Sequence, residues 1–318
     1  METIYISIPS LNDTETKATI ENAFLSADYP ERIFVGVSVL DLDTTVYNEV
    51  IDLSKTYNNI KADFVQLDTT STNQFGTGDG RQRAANMYSG QDYMLQIDSH
   101  THFTKGWDSY LINLFKEAKE FVGQDKVMLT AYLGNYNYGP KRGWMDIHDI
   151  RYPYYLPEEF FLNKIPGWDL FVITEKVKNK FIPCVKFNGN FAFGDKEFIQ
   201  NSGRDPESIF YDEEMIQSIN LIGNDFAMVF PNLAGFPLTH LYSDHINEHG
   251  GKRMYYTEYL TQEQAEESAR KSVERYFDFI DNPDNKKAVK KYQKYARIDL
   301  KRGAIAYNYV PKKFIVED

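Results

Sequence analysis

The first hundred residues alternate between short apolar runs and amphipathic segments. Four runs are apolar on both faces and bounded by turn residues, which predicts buried strands. These runs are residues 4–8, 32–40, 62–67 and 93–97. Helical spacing marks the segments between them, at about 12–26, 46–57 and 81–88, and Asn12 with Glu15 is predicted to cap the first helix. Strands that alternate with helices predict an α/β fold whose mainly parallel sheet has helices on both faces.

The second half of the chain has a less regular pattern. Further strands are predicted at 127–132, 187–193 and 226–230. A helix is predicted at about 213–222, between the last two strands, whereas residues 136–166 match no element. Thr261 and Gln264 have the spacing of a capping box, which predicts the start of a C-terminal helix that continues to about residue 280.

Composition is that of an ordinary globular protein. The chain has 318 residues, of which 42% are hydrophobic and 25% are charged, so a disordered chain is excluded. The single cysteine, Cys184, excludes a disulfide framework and a cysteine-rich zinc module. The sequence shows no signal-peptide pattern and no apolar stretch long enough to span a membrane. We therefore expect a soluble cytoplasmic protein without a membrane partner.

Charge is distributed unevenly along the chain. The formal net charge is −11, which argues against non-specific binding to nucleic acid. Residues 286–302, however, carry eight basic residues and one acid, so this segment is +7 and the remainder is −18. Tyr292 and Tyr295 lie within it, and aromatic rings among cations are typical of nucleic-acid binding. Base rates favour the alternative, an amphipathic helix that packs on an acidic body.

Candidate chemistry begins where the fourth predicted strand ends. Ligands of open α/β sheets bind beyond the carboxyl ends of the strands. Asp98 and His100 follow that strand directly, and residues two apart on an extended chain point the same way. A carboxylate oxygen and an imidazole nitrogen suit Mn²⁺, and Mg²⁺ is a second candidate. Taken alone, the pair favours a turn-capping aspartate and a surface histidine over a metal site.

A longer pattern surrounds this pair. It begins with YMLQIDSHTHF at 93–103 and continues with GWD at 106–108. Companion segments, in order, are ISIPS at 6–10, PERIFVGV at 30–37, GQDY at 90–93, FYDEE at 210–214 and THLY at 239–242. Together these segments resemble a GT-A glycosyltransferase. More narrowly they are similar to glycosyltransferase family 60, the cytoplasmic hydroxyproline N-acetylglucosaminyltransferases, and more distantly to the polypeptide N-acetylgalactosaminyltransferases.

The resemblance implies a nucleotide-sugar-dependent transferase that uses a UDP-sugar and a divalent metal, with Mn²⁺ favoured. The metal ligands that it implies are Asp98, His100 and His240. The donor contacts that it implies are Ser7, Pro9, Ser10, Arg81, Asp98, Ser99 and Asn190. It also places Glu213 or Glu214 against the sugar or the acceptor, as an orienting or weakly basic group. Asp212 replaces a glycine of the family, and as a third candidate acid it would add charge and bulk to the acceptor pocket. Separately, glycines 76, 78 and 80 would let the backbone approach a phosphate.

The resemblance also implies retention of anomeric configuration, by front-face attack in which the departing phosphate helps to take the acceptor proton. It places a GT-A catalytic domain at 1–253, and we expect a basic helical extension at 254–318 that packs on it. A polar loop at 243–253 would be able to close over the donor.

The acceptor is open at this point. The resemblance favours a protein hydroxyl, of hydroxyproline, serine or threonine. The basic segment favours a different acceptor, a hydroxymethylated pyrimidine in DNA. Its phosphates would contact Lys287, Lys290, Lys291 and Lys294. The pattern is also compatible with a catalytically silent GT-A domain that binds carbohydrate or nucleotide-sugar, and with a nucleotidyltransferase of the same fold.

Overall fold

A computed structural model describes most of the chain. The described residues are 1–11, 13–67, 76–137, 143–144, 151–155, 165, 168–172, 180–210, 212–231, 235–241, 261–301, 304–305 and 313–314. The predicted cap residue Asn12 and the loop 243–253 lie outside them. No described helix is long and apolar enough to cross a membrane.

The described elements alternate as expected in the first half of the chain. The strands are β1 (Ile4–Leu11), β2 (Ile33–Asp41), β3 (Ile60–Gln66), β4 (Tyr93–Ile97), β5 (Thr101–Phe103), β6 (Val127–Thr130), β7 (Gly134–Asn137), β8 (Gly143–Trp144), β9 (Arg151–Tyr155), β10 (Trp168–Val172), β11 (Phe181–Pro183), β12 (Phe191–Asp195), β13 (Ala227–Pro231), β14 (Leu238–His240), β15 (Ile298–Asp299) and β16 (Ala304–Ile305). The helices are α1 (Thr16–Ser26), α2 (Thr45–Ser54), α3 (Thr77–Asn86), α4 (Trp107–Val122), α5 (Lys196–Asn201), α6 (Glu213–Gly223), α7 (Gln262–Asp281) and α8 (Lys286–Ala296).

An eight-stranded sheet forms the centre of the described structure, in the order β11-β13-β6-β12-β4-β1-β2-β3. Strands β1 to β4 are parallel to one another, and β6 and β13 run in the same direction. The reversed strand β12 lies between β4 and β6, and β11 is reversed at the edge. Its central strands are buried on both faces, as continuous apolar runs require. The predicted α/β fold with a mainly parallel sheet is therefore confirmed.

Several local features differ from the sequence analysis. The first helix begins at Thr16 instead of residue 12, because the Asp13 main-chain oxygen accepts from Thr16 N and the Asp13 carboxylate accepts from Glu15 N in the preceding turn. Helix α4 had no sequence prediction. Residues 187–190 form a turn before β12 rather than its first half, and short strands occur within 136–166.

A second, four-stranded sheet positions the chain beyond β4. Its order is β5-β14-β7-β8. Strand β14 is antiparallel to β5, with His240 opposite Thr101, and Leu241 N donates to His100 O at 3.0 Å. This pairing brings a strand from late in the sequence beside the segment that follows Asp98.

The C-terminal helices pack on the body of the molecule. The predicted capping box is confirmed, since Thr261 and Gln264 bond each other's backbone amides at the start of α7. Helix α8 lies against α6, with Gly223 so close to Ala288 that a side chain would overlap it. The apolar side of α8 is buried through Tyr292, whose hydroxyl donates to Val185 O at 2.7 Å.

Candidate metal centre and active site

Three side chains converge at the carboxyl end of β4. Asp98, His100 and His240 each offer one ligand atom, and these atoms all lie within 4.8 Å of one another. His240 Nε2 is 3.0 Å from Asp98 Oδ2, and His100 Nε2 is 3.9 Å from the same oxygen. The two imidazole rings meet edge to face, with centroids 4.5 Å apart. The structure thus brings together the three residues that the resemblance implies as metal ligands.

The surroundings of this group fit a divalent cation. His100 Nε2 is buried without a hydrogen-bond partner among the described residues, and it points to the same place as the Asp98 carboxylate. Burial alone would raise the pKa of Asp98, but the His240 hydrogen bond and the Arg81 charge outweigh it and lower that pKa well below its usual range. An ionised carboxylate with two imidazole nitrogens is a donor set that suits Mn²⁺ and similar ions.

Asp13 lies behind His100, and no sequence pattern indicated it. Asp13 Oδ2 is 2.6 Å from His100 Nδ1 and also 2.6 Å from Ser99 Oγ. The carboxylate is 3% exposed. A carboxylate on the far nitrogen of a ligating histidine is the usual outer partner in metal sites. An aspartate in a turn before a helix is typical of helix capping, so its residue type alone does not indicate this role.

Arg81 connects the metal group to the turn before β12. Its Nη2 donates to Asp98 Oδ1 at 3.2 Å, and its Nη1 donates to Gly189 O at 2.8 Å. Its Nε forms an ion pair of 2.7 Å with Glu213 Oε1. A Cβ at Gly189 would lie 2.5 Å from Arg81 Nη2, so only glycine leaves this guanidinium its place. The sequence predicted α3 to begin near Arg81, whereas it begins at Thr77, and of its two arginines the structure places the predicted Arg81 at this group.

Glu214 holds the same turn from the other side. Its Oε1 accepts from Gly189 N at 2.8 Å, and its Oε2 is 2.6 Å from Lys186 Nζ. Lys186 is 2% exposed, which sequence reasoning missed because lysines are mostly on the surface. Burial lowers the pKa of Lys186 to about 8, with Glu214 acting in the opposite direction. Both backbone groups of Gly189 are therefore engaged, the N–H by Glu214 and the carbonyl oxygen by Arg81.

Glu213 is the second acid at the start of α6. Burial raises the pKa of Glu213, although the Arg81 charge opposes the shift. Neither acid is a free carboxylate, because each one already faces a buried cation. This arrangement suits orientation of a ligand better than nucleophilic attack.

The predicted donor contacts have different surroundings. Ser7 is fully buried in β1, and its hydroxyl has no hydrogen-bond partner among the described residues. Ser10 lies three residues further and its Oγ is 2.6 Å from Thr16 Oγ1. The Ser99 hydroxyl donates to Asp13, so that side chain is already engaged. Pro9 lies between the two β1 serines, and Asn190 is buried in the turn beside Arg81 and Gly189.

Two expectations about this region are corrected by the contacts. The Asp212 carboxylate accepts from Ile209 N and Phe210 N, at 3.0 and 3.1 Å, so it stabilises its own loop instead of adding a third acid to an acceptor pocket. Glycines 76 and 78 accommodate protein backbone rather than a phosphate. A Cβ at either would overlap a carbonyl oxygen of the 205–209 loop, and Gly78 N donates to Ser208 O at 3.1 Å.

The basic helix α8 differs from the expectation of a nucleic-acid platform. Tyr292 and Tyr295 are 0% and 4% exposed, so their rings are not available to stack on bases. Lys287, Lys290 and Lys294 are exposed, whereas Lys291 pairs with Asp225 just beyond the C-terminal end of α6. The two acids of the site open α6 at its other end, about 16 Å away along the helix axis.

The sequence matches the family model Glycosyltransferase (GlcNAc) over residues 40–308. No curated protein sequence gives a significant match. Among solved structures, GalNAc-T7 with UDP, GalNAc and Mn²⁺ superposes with a TM-score of 0.57 at 12% identity, covering 93% of this chain and 50% of that one. The chain therefore spans half the length of the GalNAc-T7 chain. This likeness shows the fold, and the predicted GT-A architecture agrees with it.

A weaker likeness is to S. aureus TarS. TarS 1-349 gives a TM-score of 0.44 at 12% identity, covering 88% of this chain and 72% of that one. The same fragment in complex with UDP gives 0.45 at 11% identity, covering 91% and 70%. The narrower resemblance to family 60 stays a prediction.

Proposed function

Since the chain belongs to the Glycosyltransferase (GlcNAc) family, we propose that it moves a sugar from a UDP-sugar to a hydroxyl group of a macromolecule in a metal-dependent reaction. One observation carries this proposal, the convergence of Asp98, His100 and His240 at the carboxyl end of β4. The GalNAc-T7 structure of similar fold contains UDP, GalNAc and Mn²⁺, which supports the choice of donor and metal.

Charge at the site suits a nucleoside diphosphate leaving group. A divalent ion bound there would supply a Lewis acid for the negative charge that the departing diphosphate gains. Arg81 is a buried cation 3.2 Å from the Asp98 carboxylate, so it adds positive charge beside the same ligands. Because Gly189 fixes the guanidinium, this charge is already positioned before a donor binds.

The two acids of α6 support a retaining transfer without a covalent intermediate. Glu213 is paired with Arg81 and Glu214 with Lys186, so each is held in one orientation. In this proposal they orient the sugar and the acceptor hydroxyl. The acceptor attacks the anomeric carbon from the face that the diphosphate leaves, and its proton passes to the departing phosphate oxygen.

The acceptor that we propose is a protein hydroxyl, of hydroxyproline, serine or threonine. A hydroxymethylated pyrimidine in DNA is the second candidate, and the exposed lysines 287 and 290 favour it. Burial of the two α8 tyrosines removes the stacking contacts that would have supported DNA. Ala288, next to Lys287, lies against Gly223 at the end of α6 opposite to Glu213, so a DNA acceptor would have to extend along α6.

A donor-hydrolysis screen tests the reaction. The full chain is incubated with nucleotide-sugars and Mn²⁺, Mg²⁺ or EDTA, and released nucleotide is measured. We expect metal-dependent release of UDP from a UDP-sugar, lost in Asp98→Asn and kept in the exposed control Asp52→Asn. Release of pyrophosphate from a nucleoside triphosphate would indicate a nucleotidyltransferase instead. Binding without turnover of any donor would indicate a silent domain.

An acceptor panel separates the two acceptor classes. Hydroxyproline, serine and threonine peptides are compared with hydroxymethylpyrimidine DNA, and the anomeric configuration of the product is read by NMR. Transfer to DNA that weakens steeply with salt and is lost in Lys287→Glu/Lys290→Glu would support the DNA acceptor. Transfer to peptide that the charge reversal leaves unchanged would support the protein acceptor. A product of inverted configuration would contradict the front-face mechanism.

A further inference from the structure

The Asp13 carboxylate is surrounded by hydrogen-bond donors. Its Oδ2 lies 2.6 Å from His100 Nδ1 and 2.6 Å from Ser99 Oγ, and its Oδ1 accepts from Glu15 N at 2.9 Å. An ionised carboxylate only accepts hydrogen bonds and has no proton to donate to the ring. The hydrogen at this contact therefore belongs to His100 Nδ1.

In the neutral ring, a hydrogen on Nδ1 leaves the opposite nitrogen with a lone pair. His100 Nε2 is buried, has no hydrogen-bond partner among the described residues, and lies 3.9 Å from Asp98 Oδ2. A neutral imidazole binds a cation only through the nitrogen that carries no hydrogen. The tautomer of His100 thus decides whether the three-residue group is a complete donor set.

We propose that Asp13 is a positioning residue that fixes the tautomer and ring orientation of His100, so that Nε2 faces Asp98 and His240 before any metal binds. The inference rests on the metal centre of the proposed function. It adds a residue on α1's entry turn to a site whose other members lie after β4 and on β14. It also explains why a carboxylate is buried where no lysine or arginine pairs with it among the described contacts.

The turn that carries Asp13 is itself held to the end of β1. Thr16 donates to Asp13 O from its amide at 3.1 Å and from its hydroxyl at 2.7 Å. The Thr16 hydroxyl also meets Ser10 Oγ at 2.6 Å. Ser10, Thr16, Asp13 and His100 therefore form one buried hydrogen-bonded series. Through it the end of the first strand sets the position of a metal ligand.

Asp108 offers a matched control for a buried carboxylate. It is 0% exposed, pairs with Arg32 Nε at 2.9 Å and accepts from Asp28 N and Tyr29 N. Asp108→Asn therefore perturbs a buried carboxylate to a comparable degree without contacting His100. If both variants lose stability, the loss comes from removing a buried carboxylate. An effect seen only in Asp13→Asn is then an effect on the metal site.

The test uses the full chain with ¹⁵N-labelled histidine and Mn²⁺ as the probe. Two-bond ¹H–¹⁵N spectra of the metal-free protein, at a pH where the ring is neutral, report the tautomer, and His100→Gln assigns the signal. We expect the Nδ1–H form in the wild type and the Nε2–H form in Asp13→Asn, whose amide can donate to Nδ1. Calorimetric Mn²⁺ affinity should fall about 10- to 100-fold in Asp13→Asn. Asp108→Asn should change neither quantity.

Several outcomes decide the inference. An Nε2–H ring in the metal-free wild type overturns it directly, whether or not a variant folds. Unchanged tautomer and Mn²⁺ affinity in Asp13→Asn also overturn it. A wild type that binds no Mn²⁺, but whose Nδ1–H form is lost in Asp13→Asn, leaves the positioning of His100 supported and refutes the metal centre of the proposed function.

Discussion

Asp98 Oδ2 and His240 Nε2 lie 3.0 Å apart although 142 positions separate the two residues in the sequence. The antiparallel pairing of β5 with β14 produces this contact, since it sets His240 opposite Thr101, three residues after Asp98. The bond from Leu241 N to His100 O continues the pairing. A short secondary sheet therefore brings a candidate metal ligand, His240, to the end of the central strand β4.

His240 should be required for metal binding. Replacement by alanine removes one of three ligand atoms and leaves the Asp98 carboxylate without its nearest partner. We expect Mn²⁺ affinity to fall at least about 100-fold, more than for loss of an outer partner. Calorimetry on the metal-free protein measures it. His102→Ala on the same small sheet is the control, and an equal loss there would contradict the assignment.

Gly189 should tolerate no side chain. A Cβ would lie 2.5 Å from Arg81 Nη2 and 3.1 Å from Arg81 Cζ, so Gly189→Ala must displace the guanidinium from Asp98. We expect a loss of about 1–3 kcal/mol in the free energy of unfolding, together with reduced donor turnover. Denaturant titration and the hydrolysis assay measure the two effects.

Gly80→Ala is the matched control for that substitution. Gly80 lies inside α3, and its added Cβ would meet Pro9 and Leu40 only at ordinary contact distances of 3.5 and 3.6 Å. Alanine favours a helix over glycine by about 0.5–1 kcal/mol, so the variant should be at least as stable as the wild type. Lost activity in Gly80→Ala would mean that the glycine serves a ligand after all.

Lys186 should make stability depend on pH in the alkaline range. Its pKa is about 8 in the folded protein, because burial lowers it from an ordinary value of 10.5. Between these values the unfolded chain binds a proton that the native protein has released, so stability rises with pH. The contribution approaches about 1.4 kcal/mol per pH unit. Below pH 8 both states carry the proton, and this dependence disappears.

Denaturant titrations at several pH values measure the effect by difference. Lys186→Met/Glu214→Gln removes the titrating group and its partner together, so the wild-type rise between pH 8 and 10.5 should be lost. Lys180→Met removes a half-exposed lysine that pairs with Glu117, and it should keep the rise. Identical pH profiles for the wild type and the double variant would refute the prediction.

Tyr292 should contribute to folding and not to nucleic-acid binding. Its hydroxyl donates to Val185 O at 2.7 Å within a fully buried environment. Tyr292→Phe leaves that carbonyl without this donor, at a cost of about 1–2 kcal/mol. Thermal or chemical unfolding measures the loss, and Tyr29→Phe at an exposed ring should be neutral. A Tyr292→Phe variant as stable as the wild type would contradict the prediction.

Sequence patterns predicted the parts of this fold that depend on local periodicity. Strands β1 and β4 begin at their predicted residues and β2 and β3 within two residues of them, because each one contains a short apolar run bounded by turn residues. The placement of β12 against the direction of its neighbours had no local signal, since strand order depends on contacts distant in sequence. Helix α4 had no prediction although its buried face is regular, and only its first residues belong to the GWD segment at 106–108.

The candidate site likewise contains residues that sequence patterns predicted and residues that they did not. Asp98 and His100 were predicted from their spacing after a buried strand, whereas His240 required a family resemblance. Asp13 and Lys186 had no usable signal, because an aspartate in a turn and a single lysine are most often solvated. Asp13 and Lys186 are buried only because segments distant in sequence pack against them, such as the segment of His100 against Asp13 and the start of α6 against Lys186. Buried partners of this kind are identified from a structure and not from a sequence pattern.

The antiparallel direction of β12 relative to β4 and β6 has a consequence for how residues around this site can change between related sequences. Phe191 pairs with Ile97, so the turn at 188–190 begins one strand at the place where β4 ends. Parallel neighbours would be joined there by long crossovers, whose alteration disturbs whole helices. The entry turn carries no crossover helix and is held instead by local hydrogen bonds, such as that from Asn188 N to Thr130 Oγ1. Substitutions at Asn188 or Asn190 therefore alter the surroundings of the candidate metal ligands without altering a crossover helix.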